Sequence, residues 1–168
     1  MKIFTFKKNM HLSNSFETNL INYIESFYEN FTDLGFKFYS KKVGPGMGAA
    51  IELSNLHYNL EIINDRSQYF IDIKTIINNS MINFQLDLII SHIILHNSEK
   101  SKNTSRKSIL LGNEFPDLLK DPLKYYFLYQ NEIKRILFDE EFKNNYKKLQ
   151  KERASFIFPK KSKKLSPY

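Results

Sequence analysis

The chain has 168 residues, 42% of them hydrophobic and 15% aromatic, the aromatic share supplied by Phe and Tyr alone; this is enough for one domain with a real core and excludes a wholly disordered chain. It has no cysteine, which excludes disulfides, thiolate metal sites and a Cys nucleophile and fits a reducing cytoplasm. The net charge is +7, but nine of the 25 basic residues and one of the 18 acidic ones lie from Lys143 onward, so that segment carries +8 and the rest of the chain −1.

In chain order, the apolar run between Met1 and Lys8 is too short for a signal peptide. Nothing reaches the roughly 20 apolar residues of a membrane span; the nearest stretch, Leu86 to Leu95, is interrupted by Asp87 and His92. Residues 14–34 read as one helix, with Phe16, Leu20, Tyr23, Ile24, Phe27, Phe31 and Leu34 on a buried face. Asn14 and Glu17 have the spacing of a capping box, and Gly35 is placed to end the helix in a left-handed conformation.

Strands follow. Phe36 and Phe38 alternate, then Ala49, Ile51 and Leu53, then Tyr58, Leu60 and Ile62, then Tyr69, Ile71 and Ile73, with turn residues at 54–55 and 64–67. Period-two patterns with short connections predict an antiparallel meander of about four strands with one buried face. The run from residue 76 to 96 alternates at first but is long for a strand, so a buried helix is expected over Ile82 to His96. A polar loop covers 97–108. Asp121-Pro122 then starts a long last helix, bent near Asp139, and Ser155 onward is a tail. The expected architecture is α+β: an N-terminal helix, the sheet and a helical C-terminal half, in one domain over 1–158 with a basic tail at 159–168.

Five features bear on chemistry. Gly44-Pro45-Gly46-Met47-Gly48 is followed by a strand where a phosphate loop needs a helix N-terminus, no Lys-Ser/Thr pair closes the motif, and it reads as a hairpin connection. His92 and His96 share a helix face at metal-ligand spacing with Glu99 a turn further on, but Ile93 stands where a zinc-protease helix has its Glu, and no third ligand is evident. No serine sits in a Gly-x-Ser-x-Gly elbow. Asp65 and Arg66, with Gln68 and Tyr69, form a polar cluster at a turn between strands, where side chains favour either turn chemistry or binding. Lys147, Lys148 and Lys151, with Lys160, Lys161, Lys163 and Lys164, offer positive charge near Phe156 and Phe158.

The stretch from Leu34-Gly35-Phe36 to Asn64-Asp65-Arg66-Ser67-Gln68-Tyr69-Phe70-Ile71-Asp72-Ile73 resembles small bacterial immunity-type proteins, the cognate inhibitors encoded beside secreted polymorphic or contact-dependent toxins. The shared order is helix, Leu-Gly-Phe, a glycine-containing segment, two paired strands and an aspartate-arginine turn leading into a strand, followed by a mainly helical half. Ser67 stands where many such proteins carry Gly. The resemblance implies a cytoplasmic, non-catalytic protein that blocks a cognate toxin, with Tyr58, Asp65, Arg66, Gln68 and Tyr69 as contacts, and with no cofactor, metal or membrane. The alternative is a nucleic-acid-associated protein using the seven lysines above; a hydrolase or metal enzyme comes third.

Overall fold

The computed structural model describes residues 15–44, 48–77, 80–96, 105–118 and 120–159. The fold is α+β: an N-terminal helical segment, an antiparallel sheet and a helical C-terminal half. The sheet has five strands, one more than expected: β1 (Lys37–Val43), β2 (Ala49–Ser54), β3 (Asn59–Asp65), β4 (Gln68–Ile77) and β5 (Ser80–Gln85), in simple meander order.

The alternation read from the sequence governs the two faces. Ile51, Ile62 and Ile71 form one cross-strand row, and Leu53, Leu60, Ile73 and Phe84 the next, all buried under the helices. The opposite face carries Glu52, Glu61, Asp72 and Gln85 in a single row. Like charges side by side are unfavourable, and Lys74 offsets them, its Nζ lying 2.9 Å from Glu61 and 3.6 Å from Glu52. Phe38 departs from the expected buried pair with Phe36. It sits beside a register shift on the edge strand and stays exposed while Phe36 is buried.

The helix expected over 14–34 is two helices, α1 (Ser15–Glu25) and α2 (Tyr28–Asp33). At the break the Ser26 hydroxyl donates to the Tyr23 carbonyl (2.7 Å), and the Phe27 N–H reaches back only to Ile24 (3.0 Å). The turn tightens without rotating the apolar stripe away from the core, so Leu20, Ile24 and Phe31 all remain buried. Gly35 ends the segment with φ +73°. Of the capping box, Asn14 lies outside the described residues. Glu17 is buried and takes up Lys41 Nζ at 2.7 Å, which ties α1 to β1.

The helix expected over Ile82 to His96 is a strand followed by a helix, β5 and α3 (Leu86–His96). The two join without a turn residue, so one apolar run hides a change of period. The Gln85 N–H freed at the junction donates to the Tyr146 hydroxyl (2.7 Å), which removes the cost of leaving it unpaired. The expected long last helix is three: α5 (Pro122–Leu128), α6 (Gln130–Leu137) and α7 (Glu140–Ile157), after a short α4 (Arg106–Leu110). Asp121 caps α5, accepting from the Lys124 N–H, and Asp139 caps α7, accepting from Glu141. One hydrophobic core runs from Leu20 in α1 to Leu149 in α7. Among the described residues no helix is long and apolar enough to cross a membrane.

Candidate partner-binding site

The β3–β4 hairpin is built around Asn64. Asp65 pairs with Gln68, leaving Arg66 and Ser67 as a two-residue turn with φ 51° and 67°. Two positive φ values define the hairpin turn whose twist matches that of the strands. Neither residue is glycine, so a local device must hold them there. That device is the Asn64 side chain, fully buried: its Oδ1 accepts from the Ser67 N–H (3.2 Å), while its Nδ2 donates to the Phe16 carbonyl at the start of α1 (3.1 Å). The turn is thus anchored to the helical layer as well as to the sheet.

On this support Arg66 and Gln68 are exposed and Asp65 and Tyr69 half-buried. Arg66 Nε lies 3.8 Å from Asp65 Oδ1, a loose, solvent-screened pair worth little to stability. Tyr69 stacks on Tyr23 with ring centroids 4.2 Å apart. The Tyr23 hydroxyl donates to Asp121 Oδ1 (2.8 Å) and accepts from the Leu123 N–H (2.9 Å), so the aromatic stack also fixes the segment leading into α5. Burial, with Asp121 beside it, pushes the Tyr23 phenol far above its ordinary range and keeps it neutral.

Tyr58 does not belong to this surface. It is buried, and its hydroxyl lies 2.7 Å from that of the fully buried Tyr126. The alternation that placed it on a strand face was sound, but that face is the core. Four of the five residues expected to contact a partner are therefore gathered at the hairpin, and Tyr58 is a core residue.

Beside the hairpin lies a cleft of about 540 Å³, bounded by β4, the start of α3 and the end of α7. Its apolar lining includes Ile63, Phe70, Ile71, Leu86, Ile157 and Phe158; its polar rim includes Asp72 and the Asp87–Arg153 ion pair. Asp72 accepts from Asn83 Nδ2 (2.9 Å), and burial pushes its carboxyl above the ordinary carboxylate value. The sequence reading missed this cleft. Its walls are separated by some 80 residues, and no local pattern marked it, since the strand that β4 outruns was itself read as part of a helix.

The other candidates separate clearly. His92 and His96 share a face, with ring centroids 4.0 Å apart. His92 is buried against Phe142, and the His96 Nδ1–H donates to the His92 carbonyl (2.9 Å). Glu99 lies outside the described residues, and among those described no group of three ligands could hold a metal. Gly44 and Gly48 close the β1–β2 connection, with Gly44 N–H donating to Gly48 O at 3.4 Å, so strands flank that loop on both sides. Lys147, Lys148 and Lys151 are exposed on α7. Lys160, Lys161, Lys163 and Lys164 lie outside the described residues. Comparison with family models, curated proteins and solved structures finds no match to this chain.

Proposed function

We propose that this chain is a non-catalytic protein-binding protein of the bacterial immunity type, which neutralises a cognate toxin in the cytoplasm by covering part of its surface. The observation that carries the reading is the adjacency of an exposed Arg66 and Gln68, on a turn braced by Asn64, to an apolar cleft with a charged rim. Protein interfaces have this anatomy, an apolar centre inside a polar rim with Arg and aromatic side chains carrying much of the affinity. A turn already held in its binding conformation loses little entropy on association. The resemblance of the stretch from Leu34 to Ile73 to immunity-type proteins supplies the class of partner.

The test is co-expression with the product of the adjacent gene. The expected result is restored growth of the host and a stable complex on size-exclusion chromatography. Arg66→Ala with Gln68→Ala weakens the complex by about tenfold or more, on the order of 1–2 kcal/mol. Absence of both rescue and complex would overturn the reading.

A second reading rests on a different observation: Lys147, Lys148 and Lys151 are exposed along α7, and none is in an ion pair among the described residues. Such a stripe attracts phosphates. Retention on DNA or RNA that falls steeply with salt, and that Lys147→Ala, Lys148→Ala and Lys151→Ala abolish together, would favour nucleic acid as the partner.

A further inference from the structure

Strand β4 outruns its neighbour. The ladder between β4 and β5 ends at Asp72–Gln85, and residues 68–71 continue to the hairpin with β3 on one side and the cleft on the other. In a two-residue hairpin the residues flanking the turn exchange both backbone bonds, so Gln68, Phe70 and Asp72 are directed at β3. Tyr69 turns its N–H and C=O the other way, and among the described residues no strand takes them up. Across the cleft stand Ala154, Ile157 and Phe158 of the α7 end, which form the opposing wall.

Charge selects further. Lys74 is engaged by Glu52 and Glu61, and Arg153 by Asp87. Asp72, half-buried on the rim of the cleft, has a hydrogen bond from Asn83 and no ion pair among the described residues; Lys74 attracts it but is held by Glu61 and Glu52, while Glu61 and Asp87 add like charge beside it. A partly desolvated carboxylate whose neighbouring lysine is shared with two other acids favours an incoming cation.

We propose that the cleft binds a short extended segment of a partner protein, paired through its backbone with Tyr69, with an apolar side chain against Phe70 and Ile157 and a Lys or Arg on Asp72. This deepens the partner-binding reading and rests on it. Backbone pairing gives affinity without regard to sequence, and the side chains at alternate positions give selectivity. Asp72 fixes which position must be basic.

The experiment pans the full chain against a phage-displayed library of random dodecapeptides. The expected result is a consensus with a basic residue two positions from an apolar one. Synthetic versions should slow exchange of the Tyr69 amide, lose about tenfold in affinity on Asp72→Asn, and lose more on Ala154→Trp, which fills the cleft from an exposed helix position. Thermal melts of both variants should match the parent. Three results would overturn the proposal: no selected peptide, selected peptides without a basic residue, or peptides that bind Ala154→Trp unchanged. A Tyr69 amide already slow to exchange in the free chain would assign the cleft to a segment of this chain, and a dimer that Ala154→Trp dissociates would assign it to a second copy; either also overturns it. Peptide selection as expected, alongside failure to neutralise the adjacent toxin, would retain the cleft and remove the immunity reading.

Discussion

Gly48 and Asn64 approach so closely that a Cβ on Gly48 would stand 2.0 Å from the Asn64 carbonyl oxygen. Gly48 also has φ +82°, a region that L side chains enter only with strain. The same Asn64 secures the hairpin turn and α1, so one contact joins the β1–β2 connection, the β3–β4 turn and the helical layer. Gly48→Ala is expected to destabilise the fold by about 3 kcal/mol, combining backbone strain with a backbone clash. Gly112 is the control: its φ is +76°, but nothing lies within 4 Å of an added Cβ, so Gly112→Ala should cost only about 1–2 kcal/mol. Equal losses in urea melts would contradict the close approach.

Asn64→Ala removes two hydrogen bonds from a fully buried position and should cost about 2–3 kcal/mol. At the turn itself the sequence is less favourable than it could be. Arg66→Asn with Ser67→Gly supplies the residues that suit two positive φ values, and should raise stability by about 1 kcal/mol. The same double change should weaken partner binding, because it deletes the Arg66 side chain. A variant that gains stability and keeps full affinity would remove Arg66 from the interface.

The hydroxyls of Tyr58 and Tyr126 satisfy each other in the core. Tyr126→Phe leaves Tyr58 without that partner and should cost about 1–2 kcal/mol. The double change with Tyr58→Phe should cost less than the sum of the two single ones, since it leaves no orphaned hydroxyl. Strict additivity in a double-mutant cycle would show that the pair is not coupled.

Burial, reinforced by the neighbouring His96 and opposed by Asp139, lowers His92 from its ordinary 6.5 to about 4. Below pH 6.5 the unfolded chain therefore takes up a proton that the folded chain refuses. Stability is complete above that value and is lost progressively as pH falls towards about 4. His92→Phe, which keeps an aromatic ring against Phe142, should flatten this part of the stability profile in denaturant titrations at pH 7, 6 and 5. An unchanged slope would place the titration elsewhere.

The strand faces, the turns at 54–55 and 64–67, the stop at Gly35 and the cap at Asp121 could all be read from local residues, because each depends on neighbours a few positions away. Ile51, Leu53, Leu60, Ile62, Ile71 and Ile73 are buried as their alternation required. Errors arose where one apolar run served two elements. Ile82 and Phe84 continue the strand pattern while Leu86 begins a helix, and the amide at their junction is satisfied by Tyr146, 61 positions away. The breaks at Ser26 and Tyr129 were hidden for a related reason, since a tightened turn leaves the apolar spacing almost unchanged.

What the sequence determined by itself was the α+β class, the succession of helical segment, antiparallel sheet and helical half, and the polar cluster from Asp65 to Tyr69, because period and turn chemistry are short-range. Tertiary structure alone decided that Tyr58 faces Tyr126, that Asn64 reaches Phe16, and that α7 stands across a cleft from β4. Those relations depend on how far each strand runs past its neighbour and on which buried polar atoms find partners. Such quantities are fixed only when distant segments pack together.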